Sequence, residues 1–269
     1  MTDTKPQLSS VHEPLSCYVL TFNSARRLEG VLASVAEVAD DLLVLDSGSS
    51  DETQSIAESH GARFLVRQFD NFRDQRQFAL SQCLHNWILE LDSDEVASPA
   101  LEARISGLKQ TRFSVAGTVP DAFGVRREWF LLGRQVHCFY PSRCPDWPIR
   151  LYQRSKVGYQ GERTVHEAAS GFRSAIRIDA PILHYTCDSI DQMYAKVNQY
   201  TTLLARDMHG RGMRVGWFKI LVLPWLIWFK FFVLLGGWRD GWLGVVHGRY
   251  VRDTVWQKLV KLRYDFFKR

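Results

Sequence analysis

Several things are missing from this chain of 269 residues, and each absence narrows what it can be. Cysteine is scarce: Cys17, Cys83, Cys138, Cys144 and Cys187 make an odd set of five with no CxxC spacing. That excludes a disulfide framework and a thiolate zinc site, and predicts reduced thiols in a cytosolic setting. The opening MTDTKPQLSS is polar and lacks the basic-then-apolar order of a secretory signal, so the expectation is a chain that is not secreted. No GxGxxG follows the first strand-like run, which argues against a dinucleotide-binding fold. There is no internal repeat and no low-complexity linker.

A long apolar run without interruption is also absent. The stretch VGWFKILVLPWLIWFKFFVLLGGW is about long enough to cross a ~30 Å hydrocarbon layer, but Lys219, Pro224 and Lys230 break it. Either lysine near the bilayer centre would cost about 3 kcal/mol. An in-plane or re-entrant segment, with tryptophans at headgroup level and lysines snorkelling, fits this composition better.

What is present is a chain long enough for one large domain, or a domain with an appendage, and apolar enough for a real core. Its net charge of +5 hides an asymmetry. Residues 205–269 carry 13 Lys/Arg against 4 Asp, and six of the nine tryptophans lie after position 216. A basic, Trp-rich tail on a mildly acidic body points to an acidic surface as partner, membrane or nucleic acid.

Along the chain, strand-like runs alternate with helical ones. LSCYVLTFN reads as a buried strand, and Leu28, Val31, Leu32 and Val35 then follow at the spacing of a helix face, with Asn23 or Ser24 as cap. LLVLD, ARFLVRQF and NWILELD are three further strands. They are separated by a short helix that Gly61 ends and by the helix RDQRQFALSQCL. This alternation predicts a parallel sheet with right-handed crossovers, whose ligands sit beyond the carboxyl ends of the strands. Asn23, Asp46 and Asp92 all lie at such ends. From about residue 113 the pattern loosens. IRLYQR, GYQGERTVHE and IRIDAPILHY read as strands of a smaller mixed region, and a helix over 189–212 presents Tyr194, Val197, Thr201 and Leu204 on one face.

The chemistry concentrates in LELDSDE. Crowding Asp92, Asp94 and Glu95 at the end of a buried strand costs electrostatic energy unless something positive sits there. If the strand continues, Asp92 and Asp94 face one side about 6–7 Å apart, while Glu95 faces away as a structural or capping group. Two hard oxygen donors on one cleft suit Mg²⁺ or Mn²⁺ with substrate phosphates. Taken alone, the motif also reads as a polar turn in which one Asp caps the following helix. Asp46, in VLDSGSSDET, leaves room for a planar base or ribose, or else belongs to an ordinary turn with Ser50 or Asp51 as cap and Gly48 at positive φ.

TFN, LDSGSSDET, FDNFRDQRQFAL and WILELDSDE together resemble the nucleotide-sugar-binding half of glycosyltransferase family 2. The nearest likeness is to its lipopolysaccharide-core transferases of the beta-1,4-glucosyltransferase type. WPIRLYQR, TVHEA, ILHY, KVNQYTTLLA and GGWRDGWLG extend the resemblance over about 14–265. One departure is Ser24, where many relatives carry Glu, so no metal or ribose role is carried over to that position. The resemblance implies an α/β GT-A fold: a Rossmann-like, mostly parallel sheet flanked by helices, with a C-terminal helical membrane-associating region. Its transferase domain would cover 14–188, divided near 112 into a nucleotide-sugar half and an acceptor half, with 189–269 as the appended region.

The resemblance also implies roles. Asp94 would be the direct ligand of Mg²⁺ or Mn²⁺, and Asp92 would bind ribose or a metal-bound water. The divalent ion arriving with the substrate diphosphate would then be the missing positive charge. Asp46 would hold the uracil or its ribose, with Thr21 and Asn23 beside it. Arg73, Gln75 and Arg76 would cover the diphosphate, where the guanidinium fork matches phosphate oxygens. Glu167, chosen over His166, would be the base that takes the acceptor proton. His184 is a candidate third metal ligand, although a histidine beside an apolar run is commonly a core residue. Arg150 would neutralise phosphate or orient Glu167. The expected enzyme is an inverting hexosyltransferase using a UDP-sugar, glucose foremost, and a lipid-anchored glycan acceptor. It would be cytoplasmic and peripheral on the inner membrane, with no nucleic-acid partner. Two other readings compete: a phosphoryl-transfer enzyme using an Asp of DSD as nucleophile, and a nonenzymatic membrane- or nucleic-acid-binding protein built on the basic tail.

Overall fold

The computed structural model describes residues 12–141, 144–159 and 169–265, which form two compact units. The first comprises 12–126, 147–159 and 169–182, and the second 127–141, 144–146 and 183–265. The second unit thus joins a segment from the middle of the chain to its C-terminal part.

In the first unit, β1 (Leu15–Thr21), β2 (Asp41–Asp46), β3 (Arg63–Val66) and β4 (Trp87–Asp92) alternate with α1 (Ala25–Ala33), α2 (Thr53–Ser59) and α3 (Phe72–Gln82). β1 lies between β2 and β4, parallel to both, and β3 lies outside β2, also parallel. Strands buried on both faces read as continuous apolar runs, which is why LSCYVLT and LLVLD are so uniform. Cys17, Val19, Leu89 and Leu91 pack on one face with Leu28, Val31 and Leu32 of α1 and with Leu101, Ile105 and Leu108 of α4 (Pro99–Gln110). Tyr18, Leu43, Leu45 and Ile88 face the other way, towards Ala79 and Leu80 of α3. Asn71 caps α3 by accepting from the Asp74 N–H, and Ser98 caps α4 ahead of Pro99. The Asp92–Asp94 turn is therefore not needed as a cap.

Beyond β4 the sheet is no longer parallel. It continues through β5 (Glu95–Ala97), β6 (Ala122–Leu131), β7 (Arg134–Val136), β8 (Ile149–Gln153) and β9 (Ala175–Cys187). The strand order is β3-β2-β1-β4-β8-β6-β9-β5, with β7 paired to β6. β8 runs antiparallel to both β4 and β6, so the sheet is mixed. β6 has no counterpart in the sequence reading, because Arg126, Arg127 and Glu128 interrupt its apolar pattern. Arg126 pairs with Asp179, and Arg127 pairs with Asp146. The expected strand GYQGERTVHE falls largely on 160–168, outside the described residues.

The second unit contains α5 (Ile190–Gly210), α6 (Trp217–Phe229), a π-helical turn at Lys230–Leu234, a 3₁₀ turn at Gly237–Asp240 and α7 (Gly241–Tyr264). α5 buries Met193, Val197, Thr201 and Ala205. Val197 and Thr201 of the expected face are among them, whereas Tyr194 is exposed and its hydroxyl reaches Asp253 of α7 at 3.3 Å. α6 buries only Ile220 and Pro224, followed by Phe231 in the π turn. Glycines allow α7 to come close. A Cβ on Gly244 would lie 1.9 Å from the Gly237 carbonyl oxygen, and one on Gly248 would lie 2.8 Å from the Trp228 indole nitrogen.

His247 of α7 is fully buried among the rings of Phe139, Phe231 and Tyr250, and neither ring nitrogen has a hydrogen-bond partner. Burial lowers its pKa from 6.5 to about 3. The unfolded chain protonates this residue below pH ~6.5 while the folded one resists, so its effect on stability is nil above that pH and unfavourable below it. Between pH 7 and 5 the loss amounts to ~2 kcal/mol. His247→Phe should melt no lower than the parent at pH 7 and lose less on acidification. Thermal melts of the two proteins across that interval check this.

Candidate active site

Strand register does the positioning. Thr21 lies opposite Asp46, and Leu20 opposite Asp92. The carboxyl ends of β1, β2 and β4 therefore stop level with one another, and the loops that follow are stitched together.

Asp46 is buried and heavily engaged. It accepts from Thr21 Oγ1 at 2.8 Å, Ser49 Oγ at 2.6 Å, and the Gly48 and Ser49 N–H groups at 2.8 and 2.6 Å. This is an Asx-type turn that needs the positive φ of Gly48, +97°. Asn23, itself left-handed with φ 49°, donates its N–H to Ser49 Oγ at 2.7 Å, and its Oδ1 accepts from the Ser50 N–H at 2.9 Å. Thr21, Asn23 and Asp46 thus come together as expected, but in building the turn. Ser24 makes no side-chain cap bond. Its hydroxyl instead donates to Ser93 Oγ at 2.9 Å, tying the β1 end to the DSD motif. Phe22, 61% exposed, sits between Thr21 and Asn23 and had no signal in the sequence reading.

The DSD segment does not continue as a strand. β4 ends at Asp92, Ser93 and Asp94 form a turn, and the chain resumes as β5 at Glu95. The expected shared face of Asp92 and Asp94 along an extended strand is therefore replaced by a turn with Asp94 on it, partly exposed. Glu95 is fully buried, as a structural group: its Oε2 accepts the Asp92 N–H at 3.1 Å.

The chain itself supplies positive charge to this cluster. Arg150 of β8 donates to Glu90 at 2.6 Å, Asp92 Oδ2 at 2.6 Å and Glu95 Oε1 at 2.7 Å. Arg76 of α3 donates to Glu90 and, at 2.8 Å, to Asp92 Oδ1. Burial alone would lower both guanidinium pKa values, but the facing carboxylates outweigh it and hold both well above the ordinary value. Arg76 and Arg150 thus supply part of the positive charge expected of a divalent ion, offsetting two of the four carboxylates within 90–95. Arg76 turns inward to do this, and Gln75 is buried on Ser47 and Arg67. Arg73 pairs with Asp74 at 2.8 Å and remains partly exposed.

Glu90 is the residue that sequence reasoning missed. It also accepts from Tyr18 at 2.6 Å, Tyr152 at 2.9 Å and Tyr159. Burial, reinforced by the Glu90 charge, raises all three tyrosine pKa values, so the hydroxyls stay protonated as donors. The available signal was a carboxylate inside the apolar run WILELD, two residues before Asp92 and so on the same strand face.

The donor set fits a hard cation held jointly with substrate. Asp94 offers a carboxylate on a partly exposed turn, while both Asp92 oxygens already accept guanidinium N–H groups. Among the described residues no three His, Cys, Asp or Glu side chains form a cage. One carboxylate with waters and phosphates is a pattern that Mg²⁺ accepts. His184 lies in the second unit, its ring stacked on Trp129 at 4.3 Å, and is not brought into one unit with Asp94. Glu167 and His166 fall outside the described residues.

The family model of glycosyl transferase family 2 matches residues 16–177. The chain belongs to this family. It is a glycosyltransferase, and its β3-β2-β1-β4 parallel half with flanking helices is the GT-A arrangement that the family implies. An uncharacterised glycosyltransferase of Rickettsia felis is 27% identical to it, over 95% of this chain and 92% of that one. The lipopolysaccharide core biosynthesis glycosyltransferase LpsC of Rhizobium meliloti is also 27% identical, over 87% of this chain and 86% of LpsC. Among solved structures, S. aureus TarS 1–349 in complex with UDP-GlcNAc aligns with a TM-score of 0.48 at 16% identity, covering 95% of the transferase and 93% of TarS 1–349. Glucosyl-3-phosphoglycerate synthase of Mycobacterium tuberculosis, in complex with Mn²⁺, UDP and glucosyl-3-phosphoglycerate, aligns with a TM-score of 0.47 at 17% identity. That alignment covers 76% of the transferase and 86% of the synthase.

Proposed function

We propose that this family 2 enzyme is an inverting transferase that moves a hexose, glucose foremost, from a UDP-sugar onto a lipid-anchored lipopolysaccharide-core or similar glycan. The observation that carries the reading is the level alignment of Thr21, Asp46 and Asp92 at adjacent parallel strand ends, with the Ser93–Asp94 turn beside them. The relative LpsC supports the acceptor class. The Asp46 turn and Asn23 form the rim against which the uridine rests. Arg73, partly exposed at the start of α3, is the cation for the diphosphate. Asp94 would hold Mg²⁺ or Mn²⁺, which when bound supplies Lewis-acid stabilisation of the leaving diphosphate. Arg76 and Arg150 hold the carboxylates beneath the turn in place. Glu167 takes the proton from the acceptor hydroxyl as that oxygen attacks the anomeric carbon from the side opposite UDP. The basic, Trp-rich C-terminal unit, with its largely exposed apolar helix, supports work at the cytoplasmic face of the inner membrane.

A thermal-shift screen of nucleotide sugars with and without Mn²⁺ tests the donor assignment. A ligand of the native state at about 100 times its dissociation constant adds ~2.7 kcal/mol, or an upward shift of about 5–10 °C. UDP-sugars should give that shift only with Mn²⁺ present, and ADP- or GDP-sugars should not.

A further inference from the structure

We infer that the C-terminal unit is a monotopic docking element that lies in the plane of an anionic phospholipid surface and does not cross it. This deepens the membrane-surface part of the reading above and does not depend on the transfer chemistry.

The segment Trp217–Leu234 is apolar apart from Lys219 and Lys230, yet only 17% of it is buried. Its single buried stripe, Ile220, Pro224 and Phe231, is committed to the neighbouring helix α7. The opposite side presents Phe218 (78% exposed), Leu221, Trp225, Leu226, Phe229 and Leu234 to solvent. The same character continues at Trp238 within the 3₁₀ turn and at Trp242 after it, which is 85% exposed. An apolar area this large on a water-soluble surface marks an interaction site.

Charge selects the occupant. Residues 211–249 carry six Lys/Arg and one acid, Asp240. Asp240 is buried and accepts from the His137 backbone N–H at 2.8 Å, so no carboxylate is exposed along this stretch. Lys219 and Lys230, eleven residues apart, fall within about 20° of each other around the helix. They therefore share one flank, between the apolar face and the buried stripe, where both can snorkel to one headgroup layer. A strip of aromatic and aliphatic side chains edged by cations is the pattern of an interfacial helix on anionic lipid.

Crossing the bilayer would require α6 to leave α7. The glycine seam opposes this: Gly244 and Gly248 exist where α7 backbone meets the Gly237 carbonyl and the Trp228 ring with no room for a Cβ. The motif GGWRDGWLGVVHG thus builds a rigid edge, with Trp238 and Trp242 flanking Arg239 as its outermost part.

The test uses the full chain with vesicles of phosphatidylglycerol and phosphatidylcholine, compared with phosphatidylcholine alone. Binding should require the anionic lipid and weaken with salt. It should fall about tenfold or more in Phe218→Ser and Trp242→Ser. With protein added outside, a membrane-impermeant maleimide should label Arg239→Cys as readily as Arg211→Cys. Absence of vesicle binding would overturn the inference. So would labelling of residue 239 only after detergent, or a doubled mass in light scattering that Trp242→Ser abolishes, which would assign the face to a second copy. Thermal shift by UDP with Mn²⁺ in the same variants separates the two readings, since docking can fail while nucleotide binding stands, and the reverse.

Discussion

Asp94→Ala should lower hexosyl transfer by roughly 10²–10³-fold, the usual scale for removing one group that stabilises developing charge in a water-poor site. Its cost to folding should be small. Asp94 lies on a partly exposed turn between β4 and β5, where substitutions fall within about ±0.5 kcal/mol. The melting temperature should therefore move by no more than about 2 °C. Asp94→Asn distinguishes charge from shape: it keeps the side-chain volume, loses the anion, and should be nearly as inactive. Steady-state rates with melts on the same preparations check both. A variant that is inactive because it is unfolded would show in the melt.

Arg150→Met should have the opposite signature, a large loss of stability. Its guanidinium joins Glu90, Asp92 and Glu95, all of them buried or half-buried. Removing one partner from a buried ionic cluster leaves uncompensated charge and costs about 3–5 kcal/mol, on the order of 10 °C in melting temperature. Arg150→Lys should recover only part, because an ammonium cannot serve three carboxylates with one planar fork. Adding Glu95→Gln to Arg150→Met should restore ~1 kcal/mol or more by deleting one stranded charge. If Arg150→Met melts with the parent, the cluster is not what holds the Ser93–Asp94 turn. Thermal melts of the four proteins provide the comparison.

These contrasting expectations follow from what could and could not be read in the chain. The parallel half was legible because its signals are local. Buried parallel strands appear as apolar runs, and Leu28, Val31, Leu32 and Val35 repeat at helical spacing. Asn23, Asp46 and Asp92 could be placed at or near strand ends from those runs alone, although β1 itself stops at Thr21. The ionic cluster was not legible, because Arg150 lies sixty residues from Glu90 in sequence and meets it only through the antiparallel β4–β8 pairing. The carboxylate crowding was a correct clue to buried positive charge. Sequence spacing cannot say whether that charge is an ion or a guanidinium.

Other misses have equally specific causes. The strand was carried through Ser93 and Asp94 because a polar DSD satisfies both a strand end and a turn. On α5, Met193 and Ala205 displaced Tyr194 and Leu204 from the buried face. Val197 and Thr201 belong to both sets, so only the edges of the stripe differ and its centre does not.

The most direct measurement of the central claim is calorimetric titration of UDP into the parent protein, Asp94→Ala and Asp46→Ala, each with and without Mn²⁺. UDP should bind the parent only with Mn²⁺ present. Asp94→Ala should lose the metal dependence together with most of the affinity. Asp46→Ala should weaken binding, because the Asn23 and Ser49 rim collapses with the turn that Asp46 holds. UDP binding of equal strength in all three proteins, indifferent to metal, would contradict the account.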